Sequence, residues 1–215
     1  MLKKVSFIIL ASLLLAAVAA GQIANAAKET VPTEKLPLSY GIVVDNSGSY
    51  RMIFSEVINS VNEIIEAHNA GDEAFLVRFI DSNKISLLQD FTRSKEDLRS
   101  ATEEMFIEGG QTAILDGVYF SAKHLAEFSQ PNRRRALILI TDGEDRKSTA
   151  KIEDVLKFLK DEKIRVFTLG LSDGKIYKNL LEKLAKETGG KSFPVEKRSE
   201  IKNILKQLTV ALNDK

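Results

Sequence analysis

The chain has 215 residues, of which 44% are hydrophobic and 28% charged, and it contains neither Cys nor Trp. This composition excludes a disordered chain and a small disulfide-stapled domain. The formal net charge of +1 gives no electrostatic basis for binding nucleic acid, and the basic cluster Arg133–Arg135 has no interleaved aromatic side chains. We expect those arginines to be solvated at the start of a strand.

The first 26 residues have the three-part order of a secretory signal peptide. Lys3 and Lys4 precede an apolar run over residues 5–20, and Ala24-Asn25-Ala26 supplies the small residues of a cleavage site. The run is only slightly shorter than the roughly 20 residues that a membrane-spanning helix needs, so an uncleaved anchor is the alternative. We predict cleavage after Ala26, no membrane span thereafter, and export to the bacterial periplasm or the extracellular space.

Strands and helices alternate along the rest of the chain. Residues 27–37 are polar, contain two prolines and are expected to form a linker, with the domain over residues 38–215. Short apolar runs predict strands at 38–44, 74–80, 84–88, 135–140, 164–169 and 192–195. Helical spacing predicts helices at about 50–69, 94–106, 113–128, 151–160, 176–187 and 201–212.

This alternation predicts a single doubly wound α/β domain with a mostly parallel sheet and helices on both faces. The runs at 74–80 and 84–88 are joined by a turn too short for a crossover, so we expect them to pair antiparallel at an edge of the sheet. Ser94 is expected to cap the start of one helix, and the glycines at 189–190 the end of another.

Oxygen-bearing side chains follow the strands that should end at the ligand-binding edge of this sheet. Asp45 follows the run 42–44, Asp142 follows the run 137–141, and Thr112 lies between a glycine pair and a helix. In an open α/β sheet, ligands bind beyond the carboxyl ends of the strands, where the strand order reverses. We therefore expect five side chains to converge there: Asp45, Ser47, Ser49, Thr112 and Asp142.

Two carboxylates and three hydroxyls suit a hard divalent cation. Mg²⁺ takes oxygen ligands in an octahedron and retains some of its water, and two carboxylates balance its charge. This side-chain set would hold such an ion loosely, with a vacant position that an outside carboxylate can fill. The lack of His and Cys in the set argues against zinc or copper.

Three motifs in order resemble the von Willebrand factor type A (vWA) domain. They are Asp45-Asn46-Ser47-Gly48-Ser49, the Gly-Gly-Gln-Thr at 109–112 and the Thr-Asp-Gly-Glu-Asp at 141–145, and they are similar to the family's metal-ion-dependent adhesion site (MIDAS). The resemblance implies a Rossmann-like fold and a bound Mg²⁺, with Mn²⁺ or Ca²⁺ as substitutes. It further implies that Ser47, Ser49 and Thr112 are direct ligands, that Asp45 and Asp142 act mainly through water, and that a partner protein's Glu or Asp completes the shell.

Other interpretations of the same residues stay open at this point. Asp45 and Ser49 could cap a helix and Asp142 could start a turn, while Glu144 and Asp145 are either solvated loop acids or part of the site's rim. An Mg²⁺-dependent phosphohydrolase with Asp45 as nucleophile is the enzyme alternative, and a structural scaffold with a vestigial metal site is another. The chain lacks a nucleophile elbow and a phosphate-binding glycine loop. We therefore predict a non-enzymatic, metal-dependent module that binds an acidic residue of a partner protein.

Overall fold

The computed structural model describes residues 35–214, which form alternating strands and helices. The strands are β1 (Leu38–Asp45), β2 (Glu73–Phe79), β3 (Ile85–Thr92), β4 (Arg134–Thr141), β5 (Ile164–Gly170) and β6 (Ser192–Pro194). The helices are α1 (Phe54–Glu66), α2 (Lys95–Glu103), α3 (Ile114–Phe128), α4 (Ile152–Asp161), α5 (Lys178–Thr188) and α6 (Ile201–Asn213). Short 3-10 turns lie at Gly48–Tyr50 and Arg198–Glu200.

The six strands form one sheet in the order β3-β2-β1-β4-β5-β6. Only the β2–β3 pair is antiparallel, and it lies at an edge, so the predicted Rossmann-like, doubly wound α/β fold is confirmed. The strand order reverses between β1 and β4, which pair in parallel from Leu38↔Arg134 to Val44↔Ile140. The carboxyl ends of these two strands therefore flank the crevice in which such sheets bind ligands.

The central strands of the sheet are buried on both faces, as their uninterrupted apolar runs predict. On one face, Tyr40, Ile42 and Val44 of β1 belong to a core cluster with apolar residues of α1, α2 and α6. On the other face, Val43 belongs to a second cluster with apolar residues of α3, α4 and α5. Because each fully buried Val, Leu or Ile contributes about 1.5–3 kcal/mol, the two layers hold β1 and β4 rigidly in register.

The start of α1 and the end of β3 depart furthest from the predicted boundaries, and two caps agree with the prediction. Helix α1 begins at Phe54 because residues 48–50 form a 3-10 turn first. Strand β3 continues to Thr92 through polar residues. An edge strand keeps one side in water, so the end of its apolar run does not mark the end of the strand. Ser94 Oγ accepts a hydrogen bond from Asp97 N at 3.1 Å, and Gly189 ends α5 with φ of 73°.

The expected solvation of the arginine cluster is wrong for Arg133. Its guanidinium donates to Ser39 Oγ at 2.8 Å and to the Leu38 carbonyl at 2.9 Å, and it lies 3.5 Å from the Glu73 carboxylate. The side chains of Arg133 and Glu73 are each only 5% exposed. A guanidinium has five donors, so it can satisfy carbonyls at the amino-terminal edge of the sheet that a lysine could not satisfy together.

The predicted signal peptide over residues 1–26, and residues 27–34 of the predicted linker, lie outside the described part of the chain. Lys35 to Pro37 have no regular secondary structure. Within residues 35–214, none of the helices combines the length and apolarity required to span a membrane.

Candidate metal centre

Asp45 is a buried carboxylate at the end of β1, only 1% exposed. Its Oδ1 accepts a hydrogen bond from Ser47 N at 2.9 Å, and its Oδ2 accepts one from Thr141 Oγ1 at 2.7 Å. Thr141 is the last residue of β4, so this second bond ties the ends of the two central strands together. Both oxygens of Asp45 are thereby fixed in orientation.

The 3-10 turn after β1 brings two serine hydroxyls to one point. Ser47 Oγ and Ser49 Oγ are 3.0 Å apart, with Ser47 buried and Ser49 exposed. The Ser49 side chain also lies close enough to Asp142 to keep the pKa of that carboxyl below the value that burial alone would give. The D-x-S-x-S segment therefore brings the Ser47 hydroxyl beside Asp45 and the Ser49 hydroxyl toward Asp142, the acid that follows β4.

The glycine loop before α3 lies against this turn and carries Thr112. A Cβ placed on Gly48 would lie 3.7 Å from Gly109 Cα, so the two loops are in contact. Thr112 is 5% exposed, and its carbonyl accepts hydrogen bonds from Arg146 N at 2.9 Å and Lys147 N at 3.0 Å. The loop after β4 thus fixes the backbone of Thr112 from the opposite side.

Asp142 begins the loop after β4 and is 6% exposed. Its Oδ1 accepts a hydrogen bond from Glu144 N at 2.9 Å, and its carbonyl accepts one from Tyr177 N at 2.7 Å. The Tyr177 bond joins Asp142 to the loop between β5 and α5. The left-handed Gly143, with φ of 86°, makes this close approach possible, because a Cβ at that position would lie 2.3 Å from Tyr177 O.

Burial raises the pKa of both acids. The pKa of Asp45 rises from 3.8 to about 7, because burial and the charge of Asp142 outweigh the hydrogen bonds from Thr141 and Ser47. The pKa of Asp142 is also raised by burial, against the hydrogen bonds from Glu144 N and Ser49. Two neighbouring carboxylates that are costly to ionise, together with hydroxyl oxygens, fit a hard divalent cation, whose charge would offset both.

The described residues hold no cluster of three or more His, Cys, Asp or Glu side chains that could bind a metal. Hydroxyl oxygens would therefore have to supply the remaining protein ligands at this site. The candidates are Ser47 and Ser49, whose hydroxyl oxygens lie 3.0 Å apart, and Thr112 in the adjoining glycine loop.

The two loop acids beyond Asp142 have different environments. Glu144 pairs with Arg146 at 2.5 Å on the surface, and this hydrogen bond lowers the pKa of Glu144. Asp145 is turned inward, where its Oδ1 accepts hydrogen bonds from Ile114 N at 3.0 Å and from Ser148 Oγ at 2.7 Å. Asp145 therefore caps the start of α3 from another loop. The residue that it caps, Ile114, lies two residues after Thr112.

Replacing Asp145 with Ala is expected to weaken Mg²⁺ binding by about tenfold, the lower end of what is typical for residues that orient metal ligands. The unfolding free energy should fall by about 1–2 kcal/mol, because Ile114 N loses its capping acceptor and the segment carrying Thr112 loosens. Calorimetry and urea unfolding measure the two effects. Glu144→Gln in the same loop is the control and should change Mg²⁺ affinity less than twofold, roughly the scale of an exposed ion pair. Equal losses in the two variants would contradict a positioning role for Asp145.

Comparison with known proteins identifies the family. The profile of the von Willebrand factor type A domain matches residues 41–207. The chain belongs to the vWA family. An uncharacterized protein of Synechocystis sp. is 29% identical over 192 residues, covering 87% of this chain and 44% of that protein. Human Vitrin is 28% identical over 108 residues, covering 48% of this chain and 16% of Vitrin. This vWA chain thus spans less than half the length of either relative.

Solved structures share the vWA fold at low sequence identity. An aerotolerance-related membrane protein from Bacteroides fragilis has a TM-score of 0.65 and 17% identity, covering 82% of this chain and 98% of that one. A vWA protein from Catenulispora acidiphila has a TM-score of 0.72 and 14% identity, covering 84% and 44%. Proximal thread matrix protein 1 from the mussel byssus, in a form with zinc at its MIDAS motif, has a TM-score of 0.68 and 22% identity, covering 81% and 48%.

A MIDAS of this family takes divalent cations, and the zinc in the byssus protein bears on the prediction that the ligand set disfavours zinc. The lack of His and Cys in the ligand set was expected to argue against zinc, yet zinc occupies the MIDAS motif of that vWA relative.

Thr141 and Tyr177 hold residues of the candidate site but were not among the residues predicted to form it. Thr141 directly precedes Asp142, so its place at the end of β4 was a readable signal. Tyr177 acts through its backbone N–H, which no side-chain pattern reveals.

Proposed function

We propose that this vWA domain is a metal-dependent protein-binding module whose cation is held at the carboxyl ends of β1 and β4. In this proposal Ser47, Ser49 and Thr112 are the direct ligands, and Asp45 and Asp142 act mainly through water. A Glu or Asp of a partner protein completes the shell. The observation that carries the proposal is the buried pair Asp45 and Asp142 beside two hydroxyls whose oxygens lie 3.0 Å apart.

The chain's own residues would orient the ligands and keep the acids in place. Thr141 Oγ1 and Ser47 N hold the two oxygens of Asp45, and Glu144 N holds one oxygen of Asp142. Ser49 is exposed, so the vacant position for a partner would open on its side. A divalent cation bound there would supply the positive charge that attracts a carboxylate. We propose Mg²⁺, with Mn²⁺ or Ca²⁺ as substitutes.

The geometry of Asp45 speaks against the phosphohydrolase alternative. A nucleophilic carboxylate needs an oxygen free to attack substrate, whereas both oxygens of Asp45 accept hydrogen bonds and the residue is 1% exposed. Arg146, the first basic residue in the loop after Asp142, is paired with Glu144, so its charge is already engaged and less available to a transferring phosphoryl group.

Export and a signal peptide over residues 1–26 belong to the same proposal. They rest on the charged start, the apolar run and the Ala24-Asn25-Ala26 cleavage pattern. An extracytoplasmic vWA domain over residues 38–215 would meet its partner in the cell envelope or outside the cell.

Capture of a partner tests the function. Immobilised domain is incubated with an envelope fraction of the source organism in Mg²⁺ or in EDTA, and wild type is compared with Asp142→Ala. We expect a protein that is retained only by wild type and only with Mg²⁺, and whose retention is lost when one exposed Glu or Asp of that protein is changed to the amide. Retention that survives both EDTA and Asp142→Ala would sink the proposal.

A further inference from the structure

A cavity of about 460 Å³ lies at the amino-terminal edge of the sheet, opposite the candidate metal centre. Five cationic side chains line it, Arg133–Arg135, Lys163 and Arg165, together with the single acid Glu162. The first three form the basic cluster that stands out in the sequence and that the proposed metal-dependent function leaves unused. The cavity falls in the size range of small-molecule binding sites, which is about 300–1,000 Å³.

Two of the five cations already have carboxylate partners. Arg133 lies 3.5 Å from Glu73, and Arg135 Nη1 lies 2.9 Å from Glu162. These two guanidiniums also bond to Ser39 and Ser129 and to backbone carbonyls, so they help to build the walls of the cavity.

The guanidiniums of Arg134 and Arg165 donate hydrogen bonds to the same carbonyl oxygen. Arg134 Nη1 lies 3.3 Å and Arg165 Nη2 lies 3.2 Å from the carbonyl oxygen of Leu212, at the end of α6. Among residues 35–214, no carboxylate lies within 4.0 Å of either guanidinium. Burial lowers the pKa of both groups, and the charge of Arg134 lowers that of Arg165 further. Carbonyl oxygens, the negative end of the α6 dipole and the more distant carboxylates of Asp72, near Arg134, and Asp214, near Arg165, offset these two half-buried like charges in part.

We propose that this cavity binds a phosphate group, free or as an ester, between the guanidiniums of Arg134 and Arg165. An oxyanion there would offset the two like charges, and guanidinium forks match phosphate oxygens in a bidentate geometry. Lys163, which lines the same cavity, would add a third positive charge at its wall. The cavity is much larger than a bare phosphate ion, so it leaves room for the remainder of an ester.

The proposal does not depend on the metal-dependent function, because the two sites lie at opposite edges of the sheet. Calorimetry with inorganic phosphate and with glycerol phosphate, at ionic strength matched with NaCl, measures binding directly. We expect saturable binding by wild type, a loss of about tenfold in affinity in Arg165→Gln, and a smaller loss in Arg165→Lys, which keeps the charge but not the fork. Arg99→Gln, an arginine on α2 outside the cavity, should leave the affinity unchanged.

Co-sedimentation with phosphatidylglycerol vesicles, against phosphatidylcholine vesicles, distinguishes a lipid headgroup from a soluble phosphate ester as the source. Selective sedimentation with the former that is lost in Arg165→Gln assigns the headgroup, while binding of glycerol phosphate without sedimentation assigns a soluble ester. Lys163→Gln provides a second variant in case Arg165→Gln does not fold, and it should weaken phosphate binding as well. No phosphate binding beyond the NaCl control, or equal affinity in wild type, Arg165→Gln and Lys163→Gln, would overturn the assignment.

Discussion

Asp45→Asn is expected to make the metal-free domain more stable at pH 7.5 and, at the same time, to abolish its stabilisation by Mg²⁺. Burial raises the pKa of Asp45 from 3.8 to about 7, so the folded protein binds a proton there over a pH range in which the unfolded chain does not. The unfolding free energy of wild type in EDTA therefore falls as pH rises from about 4 to 7. Asn resembles the neutral acid and should recover on the order of 2–4 kcal/mol at pH 7.5.

Urea unfolding in EDTA at pH 4 and pH 7.5, with and without added Mg²⁺, measures this effect. The difference between Asp45→Asn and wild type in EDTA should nearly vanish at pH 4, where the wild-type carboxyl is neutral in the folded state. In Mg²⁺ at pH 7.5, only wild type should gain stability. A variant that is less stable than wild type in EDTA at pH 7.5, or one that still responds to Mg²⁺, would contradict the role given to Asp45.

Gly143→Ala is expected to destabilise the domain by about 3 kcal/mol, since strain in a left-handed backbone and overpacking each cost roughly 1–3 kcal/mol. The added Cβ would lie 2.3 Å from Tyr177 O and 3.1 Å from Leu181 Cγ, at a backbone φ of 86°. Relief of that contact must separate the loop after β4 from the loop before α5. The hydrogen bond from Tyr177 N to Asp142 O should then be lost, and Mg²⁺ affinity should fall with it.

Gly174→Ala is the matched control for Gly143→Ala, because it lies in the loop between β5 and α5 with no atom within 4 Å of its added Cβ. Its unfolding free energy should stay within about 0.5 kcal/mol of wild type, as for most surface changes. Thermal unfolding and Mg²⁺ titration of both variants measure the contrast. Equal stability and equal Mg²⁺ affinity in the two variants would show that Gly143 does not couple the loops.

The fold was predictable from the sequence because apolar residues recur at one period in its helices and form short continuous runs in its strands. Strands β1, β4 and β5 are buried on both faces, so each is a continuous apolar run that can be recognised in the sequence without knowing which strands pair with it. The end of β3 was not predictable, since an edge strand with polar residues at 89–90 has no apolar boundary. Helix α1 begins four residues later than predicted, at Phe54, because residues 48–50 form the 3-10 turn that positions the two serine hydroxyls.

The residues of the candidate site were predictable from the sequence, but the hydrogen bonds that hold them were not. Asp45 and Asp142 each follow a buried strand, and strand order alone brings them to one edge. The inward turn of Asp145 was not predictable, because one of its two donors, Ile114 N at the start of α3, lies 31 residues away and only tertiary packing brings it close. The expected solvation of Arg133 failed for the same reason, as the carbonyls that it binds lie 62 and 95 residues away.

Calorimetric titration of the domain over residues 38–215 with Mg²⁺, in wild type and Asp142→Ala, is the most direct test of the proposed metal centre. We expect saturable binding by wild type and no measurable binding by Asp142→Ala. Asp154 is an exposed acid on α4, and Asp154→Ala should bind like wild type. Circular dichroism should show that all three proteins are folded in EDTA. An absence of Mg²⁺ binding by folded wild type, or unchanged affinity in Asp142→Ala, would contradict the claim that a divalent cation is held between β1 and β4.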